Sequence, residues 1–209
     1  MPTFSNFLTF AIATLLLNLS PGPDLMYILA RSLGQGRRAG IVSSLGVGVG
    51  CLFHTFLAVV GISAVLRASP VAFAAVRYLG AAYLVFLGVR LIFRRARNAA
   101  SLQTTTPAPL AAIFRQGVIT NALNPKVALF FLAFLPQFVS PGRGSAGLQM
   151  AILGIYFVLS GTVVCLIIAA LAGTAGDFFR RGKNVARMER ASGIVFIALG
   201  LRIGLARTT

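Results

Sequence analysis

The stretch Leu19-Ser20-Pro21-Gly22-Pro23-Asp24-Leu25 lies inside an apolar segment, about Phe4 to Ala30, that otherwise reads as one membrane-spanning helix. It places two prolines, a glycine and one of only three acidic residues of the chain near the middle of that segment. A residue before proline is pushed out of helical geometry, which applies here to Ser20 and Gly22. Proline is favoured at the first helical position, because its missing N–H would have had no partner there anyway. The segment therefore reads as two half-helices, the second starting afresh within the membrane. Backbone groups freed at such a break cannot face lipid, where each would cost several kcal/mol, so the break must face protein or a wet cavity.

A second apolar segment, about Leu110 to Val139, is interrupted in the same way at Asn124-Pro125. Serine and asparagine are good N-caps, and a half-helix that begins inside the membrane presents N–H groups and a positive dipole end, which suits a carboxylate. Either break alone reads equally well as a proline kink that packs helices. Two matched breaks with flanking charges favour a site.

The composition fixes the solvent. Of the 209 residues, 57% are hydrophobic and 11% charged, with a mean hydropathy of +0.89, whereas soluble chains carry about 25% charged residues. The formal charge of +16 is scattered between apolar blocks instead of forming a basic face or arm, which argues against nucleic acid. Cys51 and Cys165 each lie within an apolar segment and suggest packing, not a disulfide framework or a metal site.

Spans of about 20 apolar residues are six in number: about Phe4–Ala30, Ala39–Leu66, Val71–Phe93, Leu110–Val139, Ala146–Ala172 and Ala191–Ala206. The expected fold is all-α and integral to the membrane, with six transmembrane helices and a single domain over 1–209. No basic region opens Met1 to Leu19 and five further spans follow, so the first segment reads as a span, not a signal peptide. Basic residues mark the loops after span one (Arg31, Arg37, Arg38), span three (Arg94, Arg95, Arg97) and span five (Arg180, Arg181, Lys183, Arg187, Arg190). The other side has fewer, chiefly Arg67, Arg143 and Arg207. Loops one, three and five are thus expected in the cytoplasm and both termini outside.

The chain also reads as two copies of one unit. Arg77-Tyr78-Leu79-Gly80 with Gly88-Val89-Arg90 is answered by Arg190-Ala191-Ser192-Gly193 with Gly200-Leu201-Arg202, one residue shorter, and both first spans are broken. With three spans per unit, the halves, about 1–93 and 110–206 joined by a cytoplasmic loop 94–109, are inverted relative to each other. Broken segments at corresponding positions of inverted halves point to a transporter's binding site.

The motifs Ser20–Asp24, Arg31–Gly40 with Gly46-Val47-Gly48, Tyr78–Arg90 and Gly117–Phe138 together resemble the lysine exporter superfamily (LysE/RhtB), in particular its homoserine/threonine-resistance branch. The resemblance covers nearly the whole chain. It implies a small six-span exporter of amino acids in the bacterial inner membrane, powered by the proton gradient, with signature stretches at Pro21–Asp24 and Asn121–Lys126. The candidate substrate-binding residues are Asn18, Ser20, Pro21, Gly22, Pro23, Asp24, Asn121, Asn124, Pro125 and Lys126.

Asn18 and Asn121 precede Pro21 and Pro125 by about one turn and can bond the broken backbone or a ligand. Asp24 and Lys126 flank the two breaks, and a buried charge there implies mutual pairing or a wet site. Asp24 is the candidate proton-coupling residue, alternating between a cation and a proton; a static ion pair is the other reading. His54, in span two, reads either as a proton relay, its ordinary pKa lying near physiological pH, or as a histidine hydrogen-bonded between helices. Gly46, Gly48 and Gly50 read as helix packing, and Arg77, Arg90 and Arg202 as basic residues snorkelling at span ends. Asp177 and Glu189 are expected to pair with neighbouring arginines.

No enzyme constellation, clustered metal-ligand set, cofactor motif or phosphate loop such as GxxxxGK[ST] is present. The sequence thus gives a secondary transporter exporting neutral amino acids of homoserine, threonine or leucine type, with protons as the counter-substrate and a homodimer as a candidate assembly. A passive channel and a non-transporting scaffold subunit are the alternatives.

Overall fold

The computed structural model describes residues 2–62, 70–93, 106–140, 142–172, 174 and 182–205. Arg67, the loop 94–105, Asp177, Arg180, Arg181 and Arg207 lie outside the described residues, as do the far ends of spans two and six. Every element among the described residues is helical.

Helix α1 (Phe4–Leu19) opens at Thr3, whose hydroxyl accepts the Asn6 N–H, and closes at Ser20, whose N–H reaches back to the Leu16 and Leu17 carbonyls. Ser20 is extended (φ −66°, ψ 125°), as a residue before proline should be. Of the two prolines on offer, Pro23 starts the next helix, α2 (Pro23–Gln35), with fully extended Gly22 (φ −159°, ψ 179°) as its N-cap. Ser20 therefore ends the first half-helix and does not cap the second. The two halves meet at a bend of 49°. In the second broken segment α5 (Leu110–Ala122) gives way to α6 (Pro125–Ala133) across Asn124 (φ −76°, ψ 108°), whose side chain caps the new helix by accepting the Lys126 N–H. A 3-10 turn (Leu135–Phe138) extends α6, and the bend is 48°.

Between these lie α3 (Arg37–Leu57), continued by a π-helical turn (Ala58–Ile62), and α4 (Pro70–Phe93). After them come α7 (Ala146–Ala170) and α8 (Gly182–Leu205). Residues Arg37–Gly61 and Ala146–Ala170 are each long and apolar enough to cross a membrane, and four crossings result if each bent pair counts as one. Tyr78–Phe93 is a shorter apolar stretch. Six basic positions read as loop residues are helical instead, among them Arg37 and Arg38 at the start of α3 and Lys183 in α8. Arg187 and Arg190 belong to α8, and Arg31 lies buried in α2. Helix α2 outlasts its apolar run because Gln35 and Arg31 find polar partners.

Lipid tails are as apolar as leucine, so helices here associate by close packing, small residues and hydrogen bonds. The broken segments are locked together by aromatic rings. Phe10 of α1 packs on Phe130 and Phe134 of α6 with centroids 6.1 and 6.0 Å away, and Phe157 of α7 closes on Phe130 at 5.1 Å. Helix α3 lies against α5 and α7, and α4 against α8. The α3–α5 approach depends on Gly50, where a Cβ would stand 2.5 Å from the Val118 carbonyl oxygen. Helices α4 and α8 meet through a reciprocal pair: a Cβ on Gly88 would lie 2.5 Å from the Gly193 carbonyl, and one on Gly193 2.6 Å from that of Gly88.

Candidate functional site

The two breaks meet, and each supplies what the other lacks. An interrupted helix leaves unpaired carbonyls at the C-terminal end of its first half and unpaired N–H groups at the start of its second. At the end of α1, the Lys126 ammonium donates to the carbonyls of Leu17 (2.9 Å) and Ser20 (2.7 Å). A cation at a helix N-terminus opposes the dipole, whereas at a C-terminus it is favoured. Lys126 begins at the wrong end of α6 and resolves this by reaching the right end of α1. At the end of α5, His54 Nε2 lies 2.9 Å from the Asn121 carbonyl oxygen. A carbonyl only accepts, so this nitrogen carries the hydrogen.

Asp24 stands in the first turn of α2 and points across the gap. Its Oδ2 accepts the side-chain amides of Asn121 (2.9 Å) and Asn124 (2.7 Å). Three further oxygens in this cluster, Asp24 Oδ1, Ser20 Oγ and Asn121 Oδ1, are buried without a hydrogen-bond partner. Buried polar atoms are normally paired, so three orphans in one place call for a ligand or water. They border a cavity of about 50 Å³. No side chain caps the first turn of α2, since Gly22 has none to offer.

Of the residues singled out in the sequence, Asn18, Ser20, Gly22, Asp24, Asn121, Asn124 and Lys126 line this cavity. Pro21, Pro23 and Pro125 are outside the lining and shape the breaks that aim it. His54 is also outside: it is buried behind the site and touches it through Asn121. Neither asparagine amide is bonded to a broken backbone. Asn18 Nδ2 donates to Ser160 Oγ (3.3 Å) and Asn121 Nδ2 to Asp24. The sequence reading missed the apolar wall, made by Val47, Val127, Phe157 and Val158 with the thiols of Cys51 and Cys165. Both cysteines are buried and free. Gly48 also lines the cavity, beside Thr162, instead of serving helix packing alone. Nothing in the spacing of α3 or α7 distinguishes these wall residues from core residues elsewhere on the same helices.

A polar, charge-bearing cleft at two helix breaks, walled by apolar side chains and set in long apolar helices, is the kind of site a membrane transporter uses. The chain belongs to the LysE-type translocator family, whose model matches residues 15–207. It is 33% identical over 148 residues to the leucine efflux protein of Salmonella typhimurium, covering 71% of this chain and 70% of that one. A membrane protein of Pseudomonas aeruginosa is 31% identical over 213 residues, 99% of both chains. One of Bacillus subtilis is 29% identical over 194 residues, 89% of this chain and 92% of its own. No solved structure matches the chain significantly.

Proposed function

We propose that this protein exports neutral amino acids from the cytoplasm by proton antiport across the bacterial inner membrane, using six spans arranged as two inverted repeats. The observation that carries the reading is the cluster of buried, unpartnered oxygens at the facing breaks. Asp24 Oδ1, Asn121 Oδ1 and Ser20 Oγ are three acceptors, and a substrate ammonium has three N–H groups to give them. The uncapped first turn of α2 offers N–H groups for the carboxylate of the same zwitterion. The apolar wall takes an aliphatic side chain. Asp24 is the only acid among the described residues of the lining, so a second cation, as on lysine, finds no counter-charge there. The leucine efflux relative fits the same substrate class. The mutual packing of α3 with α7 and α4 with α8 supports the repeat arrangement.

Proton coupling follows if Asp24 holds the ammonium during export and a proton during the return. His54 supports this exchange from behind, by fixing Asn121, which in turn fixes Asp24. The cavity accommodates a few waters, at roughly 10–15 Å³ for each.

The test is counterflow into vesicles holding purified protein. Leucine or threonine inside should drive saturable uptake of the labelled compound, with lysine ineffective. Linear, unsaturable flux would mean a channel, and no flux of any amino acid would mean a scaffold; either result overturns the reading.

A further inference from the structure

Two helical turns beyond Asp24 on α2, about 10 Å along the axis, Arg31 is 7% exposed. Every acceptor it has among the described residues is neutral. Nη1 donates to Gln35 Oε1 (2.5 Å) and to the Thr106 carbonyl (3.0 Å), and Nη2 to Gln116 Oε1 of α5 (2.7 Å). Its Nε is buried with no partner among the described residues. Tyr27 lies alongside, its ring 5.8 Å from the guanidinium carbon and its hydroxyl donating to the Ile113 carbonyl of α5. Gln35 Nε2 adds a bond to the Ala108 carbonyl.

A buried cation held only by amide oxygens is incompletely compensated, because a carboxylate forms shorter bonds of roughly twice the strength. The guanidinium edge formed by Nε and Nη2 is the edge with an unused donor, and it suits a bidentate carboxylate. A carboxylate taking that edge keeps both Nη1 bonds and meets Gln116 as a competitor at Nη2. The Arg31–Gln116 bond joins α2 to α5, the second half of one broken segment to the first half of the other. It lies on the face of α2 that leads to Asp24 from the side marked as cytoplasmic by the arginine pattern. A substrate entering from that side passes a seam that this bond holds shut and its loss would open. A ligand shifts such an equilibrium only if it binds the open form better, and a carboxylate that binds Arg31 only after Gln116 lets go meets that condition.

We propose that Arg31 is a second substrate-binding residue: it receives the amino acid's carboxylate at the cytoplasmic door, in exchange for Gln116, before the ammonium reaches Asp24. The proposal rests on the export reading above. It makes Gln116 a competitor of the substrate, which a merely structural clamp is not.

The experiment measures half-saturating leucine from each face, using purified protein in vesicles sorted by orientation, with leucinamide, which lacks the carboxylate, as comparison. Arg31→Gln should raise the cytoplasmic-face value about tenfold or more, the scale of a lost hydrogen bond to a charged group, and leave the outer-face value unchanged. It should also narrow the preference for leucine over leucinamide. Gln116→Ala, which keeps the guanidinium, should lower the cytoplasmic-face value. If Arg31→Gln fails to fold, Gln116→Ala decides alone. A cytoplasmic value that rises or stays the same in Gln116→Ala overturns the proposal, as does an equal change from both faces in Arg31→Gln. Wild-type protein that moves no amino acid from either face overturns the export reading itself.

Discussion

Asn124 is the side chain on which both halves of the site depend, and two substitutions separate its duties. Its Oδ1 caps α6 at the Lys126 N–H (3.0 Å), its Nδ2 holds Asp24 (2.7 Å), and the residue is 2% exposed. Loss of an N-cap costs about 1 kcal/mol, and loss of a hydrogen bond to a charged group about 1.5–3 kcal/mol. Asn124→Ala removes both and should destabilise the protein by about 2.5–4 kcal/mol on these scales. Serine also caps a helix but cannot span the gap, so Asn124→Ser should lose only the Asp24 bond, about 1.5–3 kcal/mol. Thermal unfolding of the purified variants in one detergent ranks them, and vesicle counterflow reads the site. The expected order of stability is wild type, Asn124→Ser, Asn124→Ala, with transport impaired in both variants because Asp24 loses one of its two amide donors. An Asn124→Ser protein as stable and as active as wild type would refute the view that the two breaks are joined through Asp24.

Pro125→Ala should let α5 run closer to α6 as one helix, so that counterflow falls while expression and membrane insertion are kept; normal transport would show that the break is not needed for the site. Gly50→Ala should destabilise by about 1–3 kcal/mol by forcing α3 from the Val118 carbonyl, whereas Gly61→Ala, with nothing within 4 Å of the added carbon, should leave the unfolding temperature unchanged. In a background without Cys51 and Cys165, a cysteine at Ser145 should react with an impermeant thiol reagent in intact cells and one at Ser101 should not. The reverse labelling would invert the assigned orientation.

The breaks were legible in the sequence because proline acts locally. Pro125 and Pro23 bar the preceding residue from the helix whatever surrounds them, and the sparse acids and lysines of the chain make Asp24 and Lys126 conspicuous. Which proline would start α2 was not legible, since Ser20-Pro21 and Gly22-Pro23 satisfy the same local rules. The choice is made where the Lys126 ammonium binds the Leu17 and Ser20 carbonyls and so ends α1 there. Partners across the gap were equally hidden. Asn121 and Asn124 follow Asp24 by 97 and 100 residues, and no local pattern encodes such a distance. Arg31 illustrates a different failure. The charge pattern that orients membrane proteins counts arginines without regard to their surroundings, and Arg31 fits that count while being buried against Gln35 and Gln116.

The central claim is that Asp24 is the group through which export is coupled to protons. Asp24→Asn keeps the size and the hydrogen bonding of the side chain but removes its titrating charge. The decisive measurement is accumulation of leucine against its own gradient in vesicles given an imposed pH gradient, with downhill exchange recorded in the same preparation. Wild-type protein should accumulate leucine, and Asp24→Asn should support downhill exchange at most. Uphill accumulation by Asp24→Asn, driven by the pH gradient, would contradict the account.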